Sequence, residues 1–540
     1  MSAEPRRRSW LVPLAVFGIV LAVRSIQWAA LESTALAEWP LWKQTDEHAF
    51  LEWSSRLASG NWLDIPPYRA YPTFQVVYGG PEFWERFFAK GAYYSGPLYA
   101  YALAALRRVF GEAVAPARGA QLLLACAAAS ALAAAVARVV RRRAAPAAAP
   151  CGVLAGCAYG LYGPLVFHDG FLLRDGPFTH VTTLLLALPI LGAWPPVIGA
   201  LASAALLTKQ TAAPIALAAL WAALREAPAA RRRPIQAATL AAFVLPLALF
   251  AARNVAAGTG PLTLDARQAY NLAWGNAHGA DGTLTFPGEA VAILEKARGS
   301  AAKAALLVLQ GYRGRWSELL TLFGKKLLLF FNAYEASDNA SLPFFAARLP
   351  ILRLLPTFPL LLGAGLVGLV VGVRTRLLDR VEALLCAASF ATPLLSCLLV
   401  PPNSRYRVGV AGPLAFGVGL FAAFVWEKRR APVRALGLVA VAAAVSCVAL
   451  LPAPIPTPRH RSADALVTAT LLERGGHPRE GAAEIRRYVR EGLDDTERAA
   501  GLEAARFWWV GGRSPAILDP SELAPAEKRF RAPLSTFPRN

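Results

Sequence analysis

Residues 45–62 read TDEHAFLEWSSRLASGNW and follow the first long apolar run of the chain. Ala49, Phe50, Trp53 and Leu57 recur at helical spacing, which predicts a helix with one apolar face. Thr45 or Asp46 can cap its start, and Gly60 can end it. At its head stand two adjacent acids, Asp46 and Glu47. The pattern reads as an amphipathic helix lying on the outer surface of a membrane, with a carboxylate pair at its tip. Two acids in a first helical turn also complement the helix macrodipole, which by itself would account for them. The rest of the chain decides between these readings.

Over 540 residues the chain is 56% hydrophobic and 17% charged, with a mean hydropathy of +0.40. That is too apolar for a soluble protein of this length, so most of the chain is expected in lipid. The net charge of +21 invites a nucleic-acid reading. The basic residues, however, cluster at the ends of apolar segments: Arg6 to Arg8, Arg141 to Arg143, Arg231 to Arg233, Arg374 to Arg380 and Lys428 to Arg434. This is the positive-inside pattern of membrane proteins, and it excludes nucleic acid as the partner. Cys126, Cys151, Cys157, Cys386, Cys397 and Cys447 all fall in apolar segments, so neither a disulfide framework nor a zinc ribbon is suggested.

Reading outward from residues 45–62 gives an all-α polytopic fold with about eleven transmembrane helices. The first span, Trp10 to Ala30, begins after Arg6 to Arg8 and reads as an uncleaved anchor. A long outer loop, about 31–118, is rich in aromatics, and its Tyr93 to Gly111 stretch is expected to lie at the interface. If that stretch crossed the membrane, Arg141 to Arg143 would face outward, against the charge bias. Spans follow at Gly119 to Val140, Ala147 to Phe167, Gly176 to Ala193, Val197 to Leu207, Thr211 to Leu224 and Ile235 to Ala252. A second long outer loop, about 255–350, precedes spans at Ile351 to Val373, Val381 to Leu399, Val408 to Trp426 and Leu436 to Leu451. The membrane domain thus covers 1–452. The tail, 453–540, reads as small soluble helices, Ala463 to Arg474, Glu480 to Glu491 and Glu497 to Trp509, with a weak tetratricopeptide-like pattern.

With this topology the conspicuous polar clusters gather on one side. They are Asp46-Glu47-His48, His168-Asp169 with Arg174-Asp175, Lys209, Arg253-Asn254, the Asn271 to Asp281 stretch, Glu335 with Asp338, and Arg405-Tyr406-Arg407. Channels and transporters need ionisable groups at bilayer depth, whereas here the span interiors are mostly Ala, Leu and Val. An enzyme at the outer lipid–water boundary fits better. Moving a sugar from a lipid phosphate to a hydroxyl needs a general base for the hydroxyl proton and fixed cations for the departing phosphate.

At this point the chain resembles the GT-C glycosyltransferases, the polytopic group that contains protein O-mannosyltransferases, lipid A aminoarabinose transferases and the bacterial RgtA/B/C/D-like enzymes. The resemblance runs from about Leu21 to Phe416. It is carried by the first-loop acids with W-x-x-x-L-A-x-G-x-W (46–62), GPLYAY (96–101), YGPLVFHDGFLLRD (162–175), LLTKQ (206–210), Arg253-Asn254, N-x-x-x-GN-x-x-x-x-DG (271–282), KKLLLFFNAYEASDN (325–339) and Arg405-Tyr406-Arg407. The family places juxtamembrane helices on the extracytoplasmic side and works on polyprenyl-phosphate-linked sugars.

The resemblance implies Asp46 as catalytic base with Glu47 its neighbour, and a second carboxylate that is either Asp169 or Asp175. It further implies Arg253, Lys209, Arg405 and Arg407 for the donor phosphate, and Tyr94, Asn271, Asn276 and Glu335 for substrate contacts. The chain departs from the pattern in an insertion around Leu63 to Ala92, and in Tyr94-Ser95, where relatives often carry a polar or His-Pro pair. Some members of the family use a divalent metal. His48, His168 and His278 share the side of the acids, but no local ligand spacing supports a site, so no cofactor is firmly implied. The expected partners are a polyprenyl-phosphate-linked sugar, a glycan, lipid or protein acceptor, and membrane lipid. The expected location is a bacterial inner membrane with the site facing out. A lipid-linked saccharide flippase or a non-catalytic membrane scaffold are the alternatives.

Overall fold

Apolar runs bounded by charge set the frame of the computed structural model, which describes residues 10–41, 45–69, 87–111, 114–226, 229–283, 287–455 and 462–491. Arg6 to Arg8, the middle of the 63–92 insertion and the expected helix from Glu497 to Trp509 lie outside the described residues. The first helix, α1 (Leu11–Glu32), buries Val12, Val16 and Val20 at helical spacing. A short turn of 3-10 helix (Ala35–Leu41) leads to α2 (Asp46–Ala58) and α3 (Leu98–Phe110). The long α4 (Val114–Arg141) is followed by α5 (Ala148–Gly160) and α6 (Gly163–Asp169), which meet at a bend of 50°. Pro164 opens α6 without an amide hydrogen, and the Gly163 N–H donates sideways to the Pro356 carbonyl at 2.9 Å.

Next come α7 (Asp175–Leu191), α8 (Pro195–Thr208), α9 (Ala213–Arg225) and α10 (Arg232–Ala256). The second long connection folds as α11 (Gln268–Asn276), α12 (Gly288–Ala297), α13 (Ala301–Gly311), α14 (Trp316–Phe331) and α15 (Leu342–Arg348). Then α16 (Ile351–Leu354), α17 (Phe358–Arg374), α18 (Arg380–Leu399), α19 (Ser404–Arg407), α20 (Ala411–Lys428) and α21 (Pro432–Ala449) complete the bundle. Among the described residues the tail forms a helical hairpin, α22 (Ser462–Arg474) and α23 (Pro478–Glu491), and no strand occurs.

Among the described residues, seven segments are long and apolar enough to cross a membrane: α1, α4, α10, the α16–α17 stretch, α18, the α19–α20 stretch and α21; counting the bent α5–α6 pair makes eight. The chain is therefore an all-α integral membrane protein. The remaining expected spans are α7, α8 and α9, with 17, 14 and 13 residues. Each is shorter than the roughly 20 residues of a straight crossing. Punctuation in the sequence explains their length: Gly192 closes α7 in the left-handed conformation (φ 71°), and Lys209 breaks the path from α8 to α9 in extended backbone. The Tyr93 to Gly111 stretch forms the 13-residue α3, also too short to cross.

Glycine brings α17 and α20 into direct contact. A Cβ on Gly368 would fall 1.9 Å from the Gly417 carbonyl oxygen, and one on Gly417 would fall 2.1 Å from that of Gly365. Small residues allow this approach, and dispersion between the two backbones replaces the hydrophobic drive that lipid cannot supply. At one end of the bundle Arg142 pairs with Glu382 (2.8 Å) and Arg143 with Glu427 (2.7 Å), beside the capping box of Asp379 and Glu382. The opposite ends of α4, α18 and α20 carry Gln121, Leu399 and the Arg405–Arg407 turn, respectively.

At that second end the connections build a separate aromatic core. Trp39 packs edge-on against Phe345 (5.1 Å between centroids), Phe50 against Tyr99 (5.1 Å), and Trp53 stacks on Tyr68 (6.0 Å). The apolar face expected on α2 exists, but it turns to protein rather than to lipid. Phe50, Trp53 and Leu57 are fully buried against α3 and the loop beyond Trp62, because offset and edge-on aromatic pairs add packing that a lipid surface does not offer. Val467 and Leu471 of α22 join this core, and Arg348 pairs with Glu484 of α23.

A carboxylate shared between two arginines

Thr45 caps α2 by accepting the His48 N–H, which fixes Asp46 as the first helical residue. The Asp46 N–H donates to Asn339 Oδ1 at 3.1 Å, and Asn339 Nδ2 donates back to Asp46 Oδ2 at 3.2 Å. Arg405 Nη1 donates to the same Oδ2 at 2.7 Å. On the other oxygen, Oδ1, the Tyr94 hydroxyl donates at 3.2 Å and Arg267 Nη1 at 3.3 Å. Arg267 also lies over the Tyr94 ring, 4.2 Å from its centroid, and donates to Ser95 Oγ at 3.1 Å.

Arg405 extends the cluster. Its Nε lies 2.7 Å from Asp338 Oδ2 and 4.0 Å from Asp175 Oδ2. Asp175, at the start of α7, is paired through Oδ1 with Lys209 Nζ at 2.6 Å. Lys209 stands over the Tyr406 ring at 3.9 Å, and Asn403 both caps α19 and donates to Asp338 at 2.9 Å. Beside this network opens a cavity of about 160 Å³, lined among others by Arg174, Lys209, Gln268, Asn271, Ser396 and Tyr406.

The adjacent acids separate electrically. Burial alone would raise the Asp46 carboxyl, but the Arg405 and Arg267 charges, with the Arg405 and Asn339 hydrogen bonds, hold it well below the usual carboxylate range. Glu47 is also buried, with Oε2 accepting the Leu172 N–H at 3.0 Å and Oε1 without a partner. Burial outweighs that bond and the Arg118 charge and pushes the Glu47 carboxyl up to about 8. The two neighbours are thus pushed in opposite directions, Asp46 toward the ionised form and Glu47 toward the protonated one. Such a split is the arrangement that lets neighbouring carboxyls take different roles.

The second-carboxylate choice left open by spacing divides in space. Asp175 shares Arg405 with Asp46. Asp169 instead sits inside the bundle, paired with Arg24 and 3.0 Å from His180 Nε2, whose Nδ1 meets the Tyr159 hydroxyl at 2.7 Å. Gly176 permits this packing, since a Cβ there would fall 2.1 Å from Asp169 Oδ1.

Four other candidates are drawn into framework bonds. Arg253 donates to the carbonyls of Leu63 (2.8 Å), Gly91 (2.6 Å) and Asp64 (2.5 Å) and stacks 3.8 Å over Tyr93. These carbonyls belong to irregular loop with no ladder partner, and a guanidinium fork satisfies several at once. Arg407 pairs with Glu335 at 2.6 Å and donates to the Tyr334 carbonyl at 3.1 Å. Asn276 accepts from Lys326 at 2.8 Å and donates to the Leu399 carbonyl at 2.7 Å, tying α11 and α14 to the end of α18. Among the histidines, His168 meets Ser404 at 3.1 Å, and His278 bridges Glu289 and Glu318 at 2.9 Å each. Among the described residues, no three His, Cys, Asp or Glu side chains form a group that could hold a metal.

Arg267, Asp338 and Asn339 complete the cluster without having stood out as site residues. Asp338 and Asn339 lie within the KKLLLFFNAYEASDN motif, where Asp338 is picked out with Glu335 as a polar cluster but only Glu335 as a substrate contact. Arg267 carries no sequence signal; it precedes α11 in a polar loop.

No protein-family model matches the chain, and no curated protein does. Among solved structures, similarity is found to the Archaeoglobus fulgidus oligosaccharyltransferase tethered with an acceptor peptide (12% identity, TM-score 0.39, covering 92% of this chain and 59% of that one). The archaeal oligosaccharyltransferase AglB of the same organism, in complex with an inhibitory peptide and a dolichol-phosphate, gives 12% identity and a TM-score of 0.36, over 90% of this chain and 59% of that one. The Archaeoglobus fulgidus oligosaccharyltransferase in the apo form gives 13% identity and a TM-score of 0.34, over 87% of this chain and 57% of that one. The chain thus spans less than three fifths of the length of these proteins.

Proposed function

We propose that the protein is an inverting glycosyltransferase of the GT-C type, moving a sugar from a polyprenyl-phosphate donor to a hydroxyl acceptor. The observation that carries this reading is the convergence of Asp46 and Asp175 on one guanidinium, Arg405, beside a cavity lined by Lys209 and Arg174. Acid and cation stand side by side where a hydroxyl and a phosphate would meet. In this scheme the acceptor oxygen forms a bond to the sugar's anomeric carbon while its proton passes to Asp46. The bond from that carbon to the phosphate oxygen breaks, and the electron pair leaves with the polyprenyl phosphate. Lys209, Arg174 and Arg405 balance the charge that develops there. Tyr94 and Asn271, at the carboxylate and in the cavity wall, are the candidate substrate contacts. Attack from the face opposite the phosphate inverts the anomeric centre.

The setting proposed is a bacterial inner membrane with the Asp46 end extracytoplasmic. Support comes from the basic residues Arg142 and Arg143, which lie at the other end of α4. The test supplies membranes with a panel of polyprenyl-phosphate sugars and compares wild type with Asp46→Asn. Loss of a general base is expected to slow transfer about 10²-fold or more. Transfer at the normal rate in that variant sinks the assignment.

One observation favours the flippase alternative: Arg24, Asp169, His180 and Tyr159 form a buried polar chain between α1, α5, α6 and α7. Ionisable groups inside a bundle are what transport requires. If Asp169→Asn abolishes lipid-linked saccharide movement while Asp46→Asn leaves it intact, the transport reading prevails.

A further inference from the structure

A carboxylate takes up a proton well only if its surroundings leave it basic, yet Asp46 holds Arg405 on Oδ2 and Arg267 on Oδ1. Both cations oppose protonation. The two are not held alike. Arg267 is anchored by Tyr94 (3.0 Å), Ser95 (3.1 Å) and ring stacking. Arg405 is shared: Nη1 bonds Asp46, Nη2 donates to the Tyr406 hydroxyl at 3.3 Å beside the cavity, and Nε touches Asp338 at 2.7 Å outside hydrogen-bond geometry and lies 4.0 Å from Asp175. Its guanidinium is 5.2 Å from the Tyr406 ring, the same ring that carries Lys209 at 3.9 Å. Tyr406 and Lys209 line the 160 Å³ cavity. A phosphate entering beside Lys209 would therefore stand one aromatic ring away from Arg405.

We propose that Arg405 is a latch on Asp46: it covers the carboxylate until the donor's phosphate fills the cavity, then turns about its Asp338 contact toward that phosphate and frees the base. The proposal rests on the transferase reading and adds a substrate order to it, donor before acceptor. Asp338 is then a positioning residue that acts through Arg405. The proton balance closes over one turnover. Asp46 takes the acceptor's proton while Arg405 faces the phosphate; when polyprenyl phosphate departs, Arg405 returns and its charge drives that proton into water. Arg267 stays on Asp46 throughout and holds the carboxylate in orientation.

The test uses the full-length protein in lipid nanodiscs and a synthetic polyprenyl monophosphate as the donor-lipid probe. A water-soluble carbodiimide with glycine ethyl ester modifies protonated carboxyls at mildly acidic pH, and peptide mass spectrometry reads Asp46. Losing one of two adjacent cations moves a carboxyl by about one pH unit or more, so the probe is expected to raise Asp46 labelling about tenfold. In Asp338→Asn, which keeps the shape but lacks the charge, the rise is expected to disappear. Retention of radiolabelled polyprenyl phosphate is measured in parallel on both proteins. Retention without a rise in wild-type labelling overturns the latch and leaves the transferase reading standing; no retention overturns both. An undiminished rise in Asp338→Asn removes Asp338 from the device.

Discussion

At the scale of single residues, adjacent Asp46 and Glu47 show how position within one helical turn divides two similar acids. Asp46 at the helix tip meets cations, whereas Glu47 points under the 170–175 turn and is buried. The Glu47 carboxyl, lifted to about 8, has a stability consequence with a definite sign. Below the ordinary carboxyl range both folded and unfolded chains hold the proton, and the group is neutral in effect. Between that range and about 8 the unfolded chain loses its proton more readily, so stability falls as pH rises. Glu47→Gln still accepts the Leu172 N–H and cannot titrate. Its melting temperature is expected to match wild type in acid and exceed it near pH 8, with a flatter profile; parallel profiles would show that Glu47 ionises normally. The pair of acids was legible in sequence. Which one ionises was not, because burial depends on a turn more than a hundred residues away.

At the scale of elements, the helices end where chemistry ends them. Of the two candidate caps, Thr45 and Asp46, it is Thr45 that caps α2, and Thr45→Ala is expected to cost about 1 kcal/mol and to loosen the Asp46 tip. A thermal melt of that variant indistinguishable from wild type would show that packing alone holds the helix start. The α17–α20 crossing makes a sharper demand. Gly368→Ala places a methyl group against the Gly417 carbonyl, and overpacking of this kind costs about 1–3 kcal/mol. Gly437→Ala on α21 meets nothing within 4 Å and gains helix propensity instead, so it serves as the control. Size-exclusion profiles in detergent should separate the two variants; equal behaviour would mean that α17 and α20 do not touch as described. Apolar periodicity revealed these helices and the shortness of α8 and α9, but not that α7 also stops short of a full crossing or that α2 faces protein.

At the scale of the whole molecule, the bundle has a carboxylate–guanidinium end and a basic end. If the positive-inside bias governs orientation, a cysteine introduced at Thr259, in the loop following α10, labels with a membrane-impermeant maleimide in intact cells. One at Thr375, at the C-cap of α17 beside the basic cluster, labels only after the membrane is opened. The reverse pattern would put the Asp46 cluster on the cytoplasmic side and remove the basis for a polyprenyl-phosphate donor presented outside.

Composition and periodicity by themselves determined that the chain is helical and lives in lipid, and that a carboxylate pair stands at the head of a helix after the first span. Those properties depend on local spacing, which a linear chain displays. Only the folded chain decided which cations reach the acids. Arg253, at the end of an apolar span, stood out in the sequence and Arg267 did not. Arg253 is taken up by the carbonyls of Leu63, Asp64 and Gly91, while Arg267, with Asp338 and Asn339, arrives at the Asp46 cluster from the second long connection. A guanidinium goes where unpaired acceptors are left, and which acceptors are left is settled by packing between distant segments.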